Sequence, residues 1–348
     1  MLFILLGYPG ETFFQSDGIK ELKLASIEGE YNMLDDVGEH VEIKALEDGE
    51  GVLYWYRRVI TPVCLTGECK MVDVGIYWYC TGEFLGLEVY GEHLTKTDHS
   101  IFFETDYHKL IKVLSNDWSS LREYEFSDLV DEDPESVDGT SGATKKEIAE
   151  EAVEDAVYTT FTLWHLIHGG EKEQLVQLTA EILDREESLV HRLVEAEEKR
   201  YQHFLLDLLT MGKINYSGAL DALLVEGLTS DTDPSLKSLA FKALSKTDLN
   251  HTLFQRELTK VYVNASINEK LQILTALHGI KHMDKGLYNA LATDLEIENE
   301  WFSIKLLNLL KTMPDLTDKV VTAAQKLLES DNPLVKKAAM DFVHFHKL

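Results

Sequence analysis

MVDVGIYWYC (71–80), TGE (81–83) and FLGLEVYG (84–91) decide how the first half of the chain is built. β-Branched and aromatic residues fill both runs, and the glycine-bearing TGE between them is turn chemistry, so the stretch reads as a β-hairpin. Period-two alternation puts Val72, Val74, Ile76 and Trp78 on one wholly apolar face. Asp73, Gly75, Tyr77 and Tyr79 fall on the other, more polar face. VLYWYRRV (52–59) supplies a further strand of the same character. Helical signals follow at YHKLIKVLSNDWSSLREY (107–124), and DLVDEDPESVDGTSG (128–142) is an acidic, turn-rich loop.

From Lys145 the period becomes helical. Ile148, Ala152, Ala156, Phe161, Trp164 and Ile167 form one apolar stripe that Gly169 and Gly170 end. This predicts a helix of about six turns at ~3.6 residues each. Thr144 followed by Glu147 fits its N-terminal capping box. Trp164 and His165 read as packing residues of that helix.

Beyond residue 171 the chain reads as helices joined by short polar turns. Pro234 in DTDPSLKSLAFKAL and Pro333 in ESDNPLVKKAAMDFV lie three steps of 33 residues apart. The same step aligns Ala240, Ala243 and Leu244 with Ile273, Ala276 and Leu277, with Leu306, Leu309 and Leu310, and with Ala339, Phe342 and Val343, all of them apolar. INEKLQILTALHG and ENEWFSIKLLNLL, the middle units, lack the proline. This pattern resembles HEAT-type helical repeats, which implies an α-solenoid with an extended surface for a protein partner.

A chain of 348 residues exceeds what a single core ordinarily serves. The expected fold class is an α+β domain followed by an all-α repeat domain. The division is residues 1–50, a strand-rich segment, then 51–170, an α+β domain, then 171–348, the helical repeats. The net charge is −28, and residues 1–150 carry 31 acidic and 12 basic side chains against 30 and 21 in the remainder. Nucleic acid and anionic membrane surfaces require clustered Lys and Arg, so neither is an expected partner. MLFILLGYPG at the start is far shorter than the roughly 20 residues of a membrane span; it reads as a first strand or as the end of a leader.

Cys64 and Cys69 lie five apart across a glycine turn, as a small disulfide loop or as two reduced thiols, and Cys80 reads as a core residue. No C-x-x-C-H, G-x-S-x-G, H-E-x-x-H or G-x-G-x-x-G motif is present, which leaves a stand-alone enzyme without support.

Asp138-Gly139-Thr140-Ser141-Gly142-Ala143-Thr144 matches D-x-x-[ST]-G-A-T. It resembles the flavinylation signature of the FMN-binding domain in subunits of sodium-pumping NADH:quinone reductase and the related Rnf complexes. The resemblance covers about residues 50–170. It implies that a flavin transferase joins FMN through its phosphate to the hydroxyl of Thr144, that Ser141, Gly142 and Ala143 form the presenting turn, and that Asp138 belongs to the sequence the transferase reads. A phosphodiester at a helix N-terminus meets unpaired N–H groups and the positive end of the macrodipole. The loop LTKTDHSIF (94–102) would face the flavin, with His99 the residue able to tune it. Electron transfer to and from a redox partner protein, outside the cytoplasm, is the implied function. The alternative is a non-redox scaffold acting through its repeats.

Overall fold

The computed structural model describes residues 12–35, 38–63, 70–129, 151–295 and 299–348. Asp138, Ser141, Gly142, Ala143 and Thr144 lie outside them, as do Cys64 and Cys69. The contacts within the chain divide it into two compact units, Met1–Arg185 and Glu186–Leu348.

The first unit is built on an antiparallel sheet, with a short helix α1 (Asp17–Lys20) inserted early. Strands β1 (Thr12–Gln15), β2 (Ala25–Ser26), β3 (Tyr31–Leu34), β4 (His40–Glu47), β5 (Leu53–Thr61), β6 (Val72–Tyr79) and β7 (Phe84–Tyr90) are arranged in the order β1-β7-β6-β5-β4-β2, with β3 also paired to β4. The hairpin β6–β7 is present as its alternation requires. Val72, Val74, Ile76 and Trp78 are all buried. Gly82 turns the chain at φ +77, where a Cβ would also come within 2.8 Å of the Lys172 carbonyl oxygen. Residues 12–47 are not a separate body: β1 pairs with β7 and β4 with β5, so they supply the flanking strands of the same sheet. Cys80 is buried and forms no disulfide.

Among its described residues this unit has three longer helices: α2 (Glu104–Leu114), α3 (Val157–His168) and α4 (Glu171–Arg185). The continuous helix expected from residue 145 to 168 is broken. Residues 152–156 form a turn in which Ala156 N donates to Val153 O, Thr160 Oγ1 accepts from Val153 N, and Asp155 takes the left-handed φ of 57°. Ala152, Val153 and Ala156 are buried all the same, so the apolar spacing is equally satisfied by a turn.

Helix α4, expected to open the repeat domain, sits instead on the sheet. Its Thr179 hydroxyl accepts from Trp55 Nε1 at 2.9 Å and donates to Cys80 O at 2.7 Å, with Thr179 and Trp55 both fully buried. The Gln174 amide pairs with both backbone groups of Leu34 and so covers part of the β3 edge.

The second unit is all helical: α5 (Glu187–Glu195), α6 (Lys199–Met211), α7 (Asp221–Thr229), α8 (Pro234–Ala243), α9 (Thr252–Asn264), α10 (Ile267–Ala276), α11 (Lys285–Leu295), α12 (Glu300–Leu310), α13 (Asp318–Lys326) and α14 (Pro333–His346). The starts of α8, α10, α12 and α14 fall at steps of 33 residues, and so do those of α9, α11 and α13. Each of α7, α9, α11 and α13 packs against the helix that follows it, and α7, α9 and α11 each contact the next of their own set. A side-chain N-cap opens every helix of the first set: Asp233 accepts from Leu236 N, Ser266 from Glu269 N, Asn299 from Phe302 N, and Asn332 from Leu334 N. The caps keep the register where the middle units lack proline. Ala240, Ile273, Leu306 and Ala339 are fully buried at matching positions. Of the twelve aligned residues only Ala276 and Val343 are half-buried.

Glu269 of α10 pairs with Lys237 of α8 at 2.8 Å, and also accepts from Ser266 N in the capping box. The Lys237 ammonium, followed by the Ser266 hydrogen bonds, lowers the Glu269 pKa to about 2. A depressed folded pKa contributes stability that is present above the unfolded value near 4.5 and is lost as pH falls toward 2. Solvent screening limits the contribution to under about 1 kcal/mol. Glu269→Gln is therefore expected to be slightly less stable than wild type at neutral pH, with the difference vanishing by about pH 2, as read by urea unfolding at a series of pH values.

Candidate functional site

Of the residues the flavin-motif resemblance assigns to the site, His99 is the one among the described residues. It sits exposed at the tip of a turn with φ +65, its backbone N donating to Lys96 O at 3.0 Å. Asp98 holds the turn by accepting from the Ser100 backbone N and hydroxyl. Lys96 is committed elsewhere: its ammonium lies 3.1 Å from Asp106, both side chains being largely buried, and Asp106 also accepts from Phe103 N at the start of α2.

This loop is tied to the chain that emerges from the motif segment. Both the backbone N and the hydroxyl of Thr97 donate to Asp155 O, at 2.7 and 2.8 Å. Glu151, four residues earlier, accepts from the Ser119 hydroxyl and the Ser120 backbone N, each at 2.9 Å. Burial pushes the Glu151 pKa up, but the Ser119 and Ser120 hydrogen bonds outweigh it and hold the carboxyl below its ordinary value. The neighbouring Trp118 is 80% exposed, with the Arg122 guanidinium 4.9 Å from its ring centre. Trp164 is buried and donates to Asn116 O, and His165 bonds Phe161 O within α3; both pack.

A second cluster lies on the sheet face opposite the apolar one. Gly75 leaves room for it, since a Cβ there would come within 2.8 Å of both Tyr56 and Tyr90. The Glu88 carboxyl accepts from Tyr77 at 2.6 Å, from the Tyr90 hydroxyl, and from the Gln15 amide at 2.8 Å. The Tyr56 and Tyr90 hydroxyls lie 3.3 Å apart. Arg58 grips Asp73 through two nitrogens, at 2.7 and 2.6 Å, and its guanidinium lies over the Tyr90 ring. Burial first, and then the Glu88 hydrogen bond, push the phenols of Tyr77 and Tyr90 well above their ordinary pKa. The polar half of the β6 alternation signalled this face; Glu88, Tyr90 and Arg58 were missed because they come from other strands.

Among the described residues, no group of three or more His, Cys, Asp or Glu is placed to hold a metal ion, and no helix is long and apolar enough to cross a membrane.

No family model matches the chain, and no curated protein matches it. One solved structure, described as the crystal structure of an engineered protein, is similar over 51% of this chain and 92% of its own at 19% identity, with a TM-score of 0.24. A likeness so slight carries no argument about fold or function.

Proposed function

We propose that the chain is an electron carrier holding FMN as a phosphoester on Thr144, outside the cytoplasm, with its second unit a HEAT-like solenoid that binds a protein partner. The D-x-x-[ST]-G-A-T match at 138–144 carries the reading. Its surroundings support it: the β6–β7 hairpin precedes the motif, and α3 follows.

The described flank suits such a group. Glu151 and Asp155 are fastened seven and eleven residues after Thr144, so the tether is short, and Trp118 beside Glu151 offers an exposed aromatic face to a planar ligand. His99 stands on the loop fastened to the same flank. Bound flavin supplies the redox chemistry; the residues of the chain position it and set its electrostatics.

Coexpressed with a flavin transferase, the protein is expected to gain the mass of one FMN less water. Thr144→Ala should abolish that gain and leave the fold intact, because the N-cap that the Thr144–Glu147 spacing predicts costs only about 0.5–2 kcal/mol to lose. Thr140→Ala, at a position the signature leaves open, should keep the gain, and Ser141→Ala, a signature position in the presenting turn, should reduce it without moving the attachment from Thr144. Absence of FMN from wild-type protein with transferase and cofactor in excess sinks the proposal. The same intact-mass measurement under non-reducing conditions, on protein from its native compartment, reads a Cys64–Cys69 bridge as the loss of two hydrogens.

The 33-residue register of capped helices favours a second reading, a non-redox scaffold acting through its repeats. That reading survives a colourless wild-type protein; the first does not.

A further inference from the structure

The ladder between β4 and β5 stops at Lys44–Tyr56, although both strands run on, β4 back to His40 and β5 forward to Thr61. Over that stretch β4 keeps its ladder with β3, from Ile43 to His40. The sheet is forked. A pocket of about 350 Å³ occupies the fork, lined by Val41, Glu42, Lys44, Tyr56, Arg57 and Arg58. Strand alternation sends Tyr56 and Arg58 to the polar face and Arg57 to the helix-covered one. A single pocket bounded by all three therefore runs into the gap between the strands. Its volume is at the lower end of the range for small-molecule sites.

Arg57 is the decisive residue. It is buried, and its Nη1 is shielded from solvent with no hydrogen-bond partner among the described residues. A guanidinium cannot shed its proton, so burial leaves it charged and in need of an acceptor. Arg58 shows how this chain satisfies an arginine when the need is structural: Asp73 meets it with both carboxylate oxygens. Acidic side chains are abundant, 31 of them in residues 1–150 against 12 basic ones. The missing partner of Arg57 does not reflect a shortage of carboxylates. With Arg58 matched by Asp73, Lys44 and Arg57 still outweigh Glu42, so the pocket wall is positive inside an acidic unit.

We infer that the fork binds a small molecule bearing an oxyanion, carboxylate or phosphate, with the Arg57 guanidinium as its buried anchor, Lys44 as a second positive charge and the Tyr56 ring as a wall. This site is independent of any flavin on Thr144.

Whole protein would be titrated separately with inorganic phosphate and with succinate, at constant ionic strength with chloride as the control anion, by calorimetry and by thermal unfolding. One of the two is expected to bind saturably at one site in the millimolar range or tighter, and which one does so identifies the oxyanion. Arg57→Gln should weaken that binding by at least about tenfold, as loss of a charged hydrogen bond does, and Arg57→Lys should fall between. Arg57→Met removes a buried charge that lacks a partner, so without anion it should melt no lower than wild type, which separates loss of binding from loss of fold. Responses to both anions no different from chloride, or equal binding by wild type and Arg57→Gln, would overturn the inference.

Discussion

Replacing Trp55 with alanine is expected to destabilise the first unit by about 3–5 kcal/mol, the usual cost of deleting a buried large aromatic side chain. Trp55 is fully buried in β5, meets the Tyr31 ring edge-on with centres 5.2 Å apart, and gives its indole N–H to Thr179. Its loss opens a cavity and also removes a donor from a hydroxyl that has no access to water. Trp55→Phe should cost much less, because it keeps most of the packing and forfeits chiefly one hydrogen bond, about 0.5–1.5 kcal/mol. Thr179→Val should cost more than Trp55→Phe, about 1–3 kcal/mol, because it leaves the buried Trp55 N–H without its acceptor. Two units need not unfold as one, so the measurement is hydrogen exchange of β5 and β6 amides in each variant. Unchanged protection of those amides in Trp55→Ala would refute the placement of α4 on the sheet.

In the second unit the largest effect is expected at Asp294. Its carboxylate, 5% exposed on α11, accepts from the Tyr262 hydroxyl of α9 at 2.6 Å and from the Lys270 ammonium of α10 at 2.8 Å. Lys270 also lies 4.9 Å from the Tyr262 ring centre, so three helices meet in one network. Asp294→Ala leaves an ammonium and a phenol buried without an acceptor, and breaking such a pair from one side costs about 3–5 kcal/mol. Asp294→Ala with Lys270→Met should recover most of that loss, since removing both charges spares the desolvation of the one left behind. Urea unfolding of the two single variants and the double variant closes the cycle. Purely additive losses would show that the network contributes nothing beyond its separate parts.

These two sites differ in how visible they were beforehand. Trp55 belongs to an evident strand, but that its partner is Thr179, on a helix that reads as the start of the repeats, is not evident from either stretch. Asp294, Lys270 and Tyr262 occupy three helices whose positions the 33-residue register does indicate, while their meeting at one point depends on how those helices pack. His99 was legible as a loop residue, and it is an exposed one. Asp138, Ser141, Gly142, Ala143 and Thr144 rest on the motif itself, because they lie outside the described residues.

Local chemistry determined the rest of what could be read directly. The period-two run of Val72, Val74, Ile76 and Trp78 with a glycine turn makes a hairpin whatever surrounds it, because alternation and turn preference act within a few residues. Likewise Asp233, Ser266, Asn299 and Asn332 start helices at a step of 33 because an N-cap bonds only to its own first turn. Tertiary structure decided what short-range preferences leave open. Buried Ala152, Val153 and Ala156 satisfy a helix or a turn equally, and Thr97 bonding to the Asp155 carbonyl is part of the turn that exists. Gln15, Arg58, Asp73, Tyr77, Glu88 and Tyr90 form one polar face only because the strands pair in the order β1, β7, β6, β5. The fork at Lys44 and Tyr56 is likewise a matter of which strand β4 follows, a choice between partners distant in sequence that no local pattern encodes.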